Sequence, residues 1–194
     1  MRVLLIYPNR QGERVTIMDR AAVAEPLALE YVAAAAKLDG HEVKLLDLRL
    51  HVTALDRTLT AFRPDVVGLT GFTMHVLRNL EIAARVRELR PDCRIVVGGL
   101  HATFEPVDFF EPQIDYILPG EGVRAFRRLL GCLAKGYPVK GLPGVYARTN
   151  GRFRLGGRTE TDLDTCSSAG IRFPQTCASV CTHPPWPQHC RRRQ

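Results

Sequence analysis

The sequence predicts an α/β fold: a doubly wound, five-stranded parallel sheet followed by a β-hairpin and an irregular tail. Three observations predict it. Short apolar runs rich in β-branched residues recur five times, amphipathic helical patterns separate them, and the strand runs are apolar at successive positions instead of alternating. Strands of that kind are covered by helices on both faces. The length of 194 residues, with 45% hydrophobic and 24% charged residues, suits one ordinary domain with a short appendage.

The strand runs are Val3–Tyr7, Val43–Leu46, Val66–Leu69, Ile95–Val97 and Tyr116–Leu118. A first helix is expected from Pro26, with Leu27, Tyr31, Ala34 and Leu38 as its apolar stripe and Gly40 just past its end. Thr53-x-x-Asp56 resembles a capping box that opens a second helix burying Leu55, Leu59 and Phe62. Val76, Leu80, Ala83, Val86 and Leu89 form a third stripe, closed by Pro91. A short fourth helix is expected between Pro106 and Pro112, and Val123, Phe126, Leu129 or Leu130, and Leu133 mark a fifth. Right-handed crossovers then give the strand order 2-1-3-4-5 of a flavodoxin-like or Rossmann-like sheet. Residues 1–140 form this domain. Val145–Leu155 alternates around Asn150-Gly151, a hairpin signal within a hairpin and linker segment, 141–165.

From Cys166 the composition changes. Residues 166–194 hold four of the six cysteines, the only Trp, the run Pro184-Pro185-Trp186-Pro187 and four arginines, with no acid and no apolar periodicity. Of 27 basic residues, residues 1–165 keep 23 against 20 acids, so the net charge of +7 falls to +3 there. A body so close to neutral lacks the electrostatic footprint of a nucleic-acid binder. No apolar run reaches the ~18 residues of a membrane span. Met1-Arg2 leads directly into a strand with no cleavage site, so no signal peptide is expected and the cytoplasm is the default compartment.

In such a sheet a ligand sits beyond the carboxyl ends of the strands, where the strand order reverses. The loops to inspect are Pro8–Glu25, Thr70–His75, Gly98–Thr103 and Pro119–Gly122. The first carries no GxGxxG, no P-loop and no Ser/Thr-rich phosphate cradle, which disfavours dinucleotides, nucleoside triphosphates and a flavin mononucleotide. Thr70-Gly71 stands where a phosphoacceptor domain needs Asp. What remains is glycine. Gly98-Gly99 removes two side chains where a bulky ligand could approach the backbone, and Thr70-Gly71 adds a hydroxyl and a further gap. Gly120-Glu121-Gly122 offers free N–H groups at a helix start and a carboxylate.

Residues 1–165 resemble the cobalamin-binding domain at the amino end of many radical S-adenosylmethionine enzymes. The matching stretches are Glu25–Tyr31, Gly40–Val43, Arg63–Gly68, Val97–Thr103 and Pro119–Gly122, in order and at matching spacing. The resemblance implies that the nucleotide tail of cobalamin threads between sheet and helices, with the corrin on the strand-end loops. Gly98 and Gly99 would flank the tail, Thr70 and Gly71 would lie near its base, and Gly120, Glu121 and Gly122 would contact its polar part. Val123 departs from the pattern, since relatives often carry a second Glu there. The Asp-x-His-x-x-Gly motif of cobalamin-dependent mutases is missing, and the first loop has no His. Binding should therefore be base-off without that histidine, leaving the lower cobalt face to Phe72, Thr73, Met74 or His75. His75 is the metal-ligand candidate among them, against a hydrogen-bonded imidazole at a helix start. His101 and Ala102 would orient the loop or touch corrin amides. On this reading Gly99→Val removes corrin binding and leaves folding nearly intact.

A radical S-adenosylmethionine domain needs Cys-x-x-x-Cys-x-x-Cys to leave one iron of a [4Fe–4S] cluster open. Cys177 and Cys181 have the first spacing, but position 184 is Pro. The expectation is a corrinoid-binding module, truncated before the domain that would hold S-adenosylmethionine and the cluster and not catalytically competent alone. A zinc site from Cys177, Cys181, His183, His189 and Cys190 matches no familiar spacing; a disordered or out-of-frame tail is the plainer reading. The rival is a cofactor-free or nucleotide-binding regulatory domain of the same fold.

Overall fold

The computed structural model describes residues 1–9 and 24–157. The expectations for most of the first loop and for the tail, including its zinc alternative, lie outside the described residues. The elements run β1 (Arg2–Tyr7), α1 (Leu27–Leu38), β2 (Glu42–Asp47), α2 (Leu55–Phe62), β3 (Val66–Leu69) and α3 (Val76–Leu89), then β4 (Arg94–Gly98), α4 (Leu100–Phe104), β5 (Tyr116–Leu118), α5 (Gly122–Ala134), β6 (Tyr146–Thr149) and β7 (Arg152–Leu155). Short 3₁₀ turns at Thr73–His75 and Pro106–Phe109 precede α3 and follow α4.

The sheet order is β2-β1-β3-β4-β5-β6-β7. The first five strands are parallel in the order 2-1-3-4-5, and β6 and β7 extend the sheet antiparallel beyond β5. The hairpin turns through Asn150 and Gly151, both at positive φ (53° and 74°), the geometry an Asn-Gly pair supplies to a two-residue turn. Side chains of β1 alternate between two cores. Leu4 and Ile6 pack with Leu59, Ile82 and Val86 of α2 and α3, whereas Val3 and Leu5 pack with Leu29, Ala36, Phe126 and Leu129 of α1 and α5. All four residues of β3 are buried, as a central strand covered on both faces requires. No helix among the described residues is long and apolar enough to cross a membrane.

Three local expectations are corrected. The stripe Leu27, Tyr31, Ala34 and Leu38 of α1 faces outward, and Leu29, Val32, Ala33 and Ala36 face the core. Both sets have helical spacing; the alanine-rich one lets α1 lie close to the sheet and α5. The second helix has no side-chain cap: α2 starts after Ala54, and Asp56 instead pairs with Arg85 of α3 at 2.7 Å. That guanidinium holds the Asp56 carboxyl below its ordinary range, although an exposed pair contributes little to stability. The helix expected from Pro106 forms only a 3₁₀ turn, Pro106–Phe109, and the loop expected over Gly98–Thr103 contains α4, which starts directly after Gly99.

At the amino edge of the sheet, buried Asp115 accepts the Ile95 N–H at 2.9 Å and the Arg87 guanidinium at 2.8 Å. Arg87 also donates to the carbonyls of Pro91, Cys93 and Gln113. This ties the starts of β4 and β5 to the end of α3, at the end of the sheet away from the glycine loops. Cys93 is buried beside it, and desolvation pushes its thiol up to about 12.

Two outcomes follow from this packing. Leu59→Ala, which empties a fully buried site beneath α2, should cost roughly 3 kcal/mol in urea denaturation. The folded protein keeps the Cys93 proton to about pH 12, while the unfolded thiol releases it above about pH 8.5. Stability should therefore fall with rising pH above that point, by up to about 1.4 kcal/mol per pH unit from this group. Denaturation midpoints at pH 8 and pH 10 should show the fall, reduced in Cys93→Ala.

Candidate functional site

Parallel register places the carboxyl ends of β3, β4 and β5 side by side: Leu69 pairs with Val97 and Gly98 with Leu118. The loops that follow are joined more tightly than the strands demand. Gly99 has φ +98°, and a Cβ there would lie 2.6 Å from Thr70 Oγ1 and 3.0 Å from Gly71 N. A Cβ on Gly71 would in turn lie 2.8 Å from the Cβ of His75. The space that these glycines leave is filled by the protein itself. The expected ligand gap is instead at Gly98, where a Cβ meets only Leu118 at 3.6 Å and 3.8 Å, and at Gly120 and Gly122, where it meets nothing within 4 Å.

The polar side chains of the edge are spent on holding the loops. His101, buried on α4, has its Nδ1 3.1 Å from Thr73 Oγ1 and its Nε2 2.8 Å from Asp108, with the ring edge-on to Phe109. Of the N–H groups expected to be free at Gly120, Glu121 and Gly122, that of Gly120 is engaged. Gly120 N–H donates to Thr103 Oγ1, and the N–H groups of Val123 and Arg124 donate to the Glu121 carboxylate, which caps the helix. Ala102, expected among the cofactor contacts, is fully buried in the α2–α3 core. His75 is buried between the Tyr7 and Phe72 rings, and its Nδ1 accepts the Phe72 N–H at 3.1 Å. That bond engages the Nδ1 lone pair and leaves the neutral ring's proton on Nε2. Of the two readings of His75, cobalt ligand or hydrogen-bonded imidazole at a helix start, this arrangement is the second.

Two residues here were not singled out from sequence. Thr103 joins the loops after β4 and β5. Asn79, 1% exposed, donates from Nδ2 to the Thr70 carbonyl at 3.3 Å, and its Oδ1 has no partner. A buried unpaired acceptor is uncommon and costs stability until a donor reaches it. Neither residue carries a local signal, because each acts across a sequence gap onto a backbone atom.

Among the described residues this edge exposes four large apolar side chains beside Thr73, Glu105 and Asp108. Phe72 (48%) and Met74 (55%) come from the loop after β3, and Leu100 (52%) and Phe104 (71%) from α4 after β4. Large apolar side chains clustered in two adjacent loops mark a contact surface. Among the described residues no three His, Cys, Asp or Glu side chains converge to hold a metal ion.

The B12 binding domain family matches residues 13–130, more than half of the chain. The chain belongs to the B12-binding domain family. Cobalamin is accordingly its cofactor. The chain is 30% identical over 79% of its length to an uncharacterised methyltransferase of Pyrococcus horikoshii, of which it covers 34%. It is 36% identical over 57% of its length to the cobalamin-dependent radical SAM methyltransferase TokK of Streptomyces tokunonensis, covering 19% of that protein. Among solved structures, the radical S-adenosylmethionine methyltransferase TsrM of Kitasatospora setae, with tryptophan and a SAM analogue bound, superposes on 82% of this chain. The TM-score is 0.69 at 25% identity, and 30% of TsrM is covered. This B12-binding domain thus spans about a third or less of the relatives it matches.

The glycine geometry reverses the expected behaviour of Gly99. Gly99→Val should lower the melting temperature by many degrees, because φ +98° and the contact with Thr70 both exclude a side chain. Gly98→Ala and Gly122→Ala should stay within a few degrees of the parent in thermal denaturation.

Proposed function

We propose that this chain is the cobalamin-holding module of a radical SAM enzyme of the methyl-transferring or ring-forming kind, binding the corrinoid base-off on the loops after β3, β4 and β5. The observation that carries the reading is the apolar platform of Phe72, Met74, Leu100 and Phe104 beside Cβ-free backbone at Gly98, Gly120 and Gly122. A corrin is a broad ring with apolar faces and an amide-bearing rim, so it suits apolar side chains for a face and bare backbone for the edge. Asn79 Oδ1 supports the fit, as a buried acceptor in need of an N–H donor.

When bound, cobalamin supplies a cobalt centre able to carry a methyl group; the reaction itself belongs to the cofactor and to the rest of an enzyme of this kind. The residues here divide the remaining work. Phe72, Met74, Leu100 and Phe104 exclude water from one side of the ring, and Gly98, Gly120 and Gly122 admit the cofactor close to the backbone. Thr70, Gly71, Thr73, His75, Gly99, His101, Ala102 and Glu121 hold the loops in place. The mutase histidine is missing from the sequence and His75 Nδ1 is engaged by the Phe72 N–H, so the loop after β3 would offer a bound corrinoid the apolar side chains of Phe72 and Met74.

Absorbance titration with methylcobalamin tests this. The expected result is a change from the red base-on to the yellow base-off spectrum at stoichiometric protein. Cofactor at about 100 times its dissociation constant should add about 2.7 kcal/mol of stability. Replacing Phe72 and Phe104 together by Ser should weaken binding about tenfold or more. An unchanged spectrum, with no corrinoid retained after gel filtration, would remove the function and leave the fold.

A further inference from the structure

α4 spans five residues, Leu100–Phe104, far too few to be stable through its own backbone bonds. Its anchorage is lateral. His101 connects it to Thr73 in the loop after β3 and to Asp108 in the following turn. Two residues on, Thr103 connects it to the loop after β5. The Thr103 hydroxyl donates to the Gly99 carbonyl at 2.9 Å and accepts the Gly120 N–H, also at 2.9 Å. A helical Thr routinely donates to the carbonyl four residues back. Accepting from an N–H seventeen residues away, on another loop, does not follow from that habit. The donated proton fixes the hydroxyl's direction and aims a lone pair at Gly120.

Among the described residues, Gly120 itself has little else to hold it. It is exposed, has φ +74°, and has nothing within 4 Å of where its side chain would be. Released from Thr103, this turn would sample several conformations, and binding would have to bear the entropy of ordering it.

We propose that Thr103 is a positioning residue for the corrinoid: its hydroxyl holds the glycine turn after β5 against the one after β4, making α4 a cross-brace between the three binding loops. His101 supplies the other arm of the brace. The proposal rests on reading this edge as the corrinoid site. Neither residue need touch the cofactor.

The test compares Thr103→Val, which keeps the shape and loses the hydroxyl, with Thr103→Ser, which keeps the hydroxyl. Hydroxocobalamin affinity is measured by absorbance titration, and the melting temperature of the cofactor-free protein is measured alongside. Loss of the tie should weaken binding about tenfold in Thr103→Val, with the cofactor-free melting temperature within a few degrees of the parent. Thr103→Ser should bind within about twofold of the parent. Thr103→Ala is the second probe, expected to match Val. Parent-like affinity in Val and Ala overturns the proposal, as does a Ser variant as weak as Val. If Val and Ala both unfold while Ser folds and binds, the hydroxyl is purely structural and the proposal falls. A parent that binds no hydroxocobalamin refutes the corrinoid reading itself, before any variant is compared.

Discussion

The close approach of Gly99 to Thr70 and Gly71 is the contact on which the carboxyl edge of the sheet depends. Parallel pairing brings the ends of β3 and β4 to within one strand spacing, but pairing alone would let the loops splay. A residue at φ +98° with no Cβ allows the backbone after β4 to turn against the backbone after β3. α4 starts from that turn, and both of its ties start from α4. The glycine pair therefore has two jobs. Gly99 serves the protein's own packing, and Gly98 leaves room at the surface.

The edge divides its chemistry in the same way. Several side chains able to hydrogen-bond are engaged internally: His101 with Thr73 and Asp108, Thr103 with Gly99 and Gly120, Glu121 with the first turn of α5. The long apolar side chains point outward. A small polar metabolite would need the reverse, with donors and acceptors presented and apolar groups buried. A large ring with two apolar faces suits what is there, and rigid loops reduce the ordering that binding must otherwise impose.

The opposite edge carries the ionic anchor. Asp115 and Arg87 tie the starts of β4 and β5 to the end of α3. Anchoring the strands at their amino ends allows the carboxyl-end loops to vary without loss of the fold, which explains how one sheet serves many ligands.

The sequence by itself determined the strands, their order and the hairpin, because each rests on local chemistry. Runs apolar at successive positions can be covered only on two faces, and Asn150-Gly151 supplies two positive φ angles wherever it occurs. The loops proposed to carry the site were legible for the same reason, since their location follows from the strand order. Tertiary structure decided which face of α1 is buried, because both of its stripes have helical spacing and only the fit against β1, β2 and α5 separates them. It also decided which glycines face open space and which face a neighbouring loop. Thr103, Asn79 and Glu121 took their roles there too: a side chain that bonds to a distant backbone atom, or to an N–H whose availability depends on the fold, leaves no periodic trace in the chain.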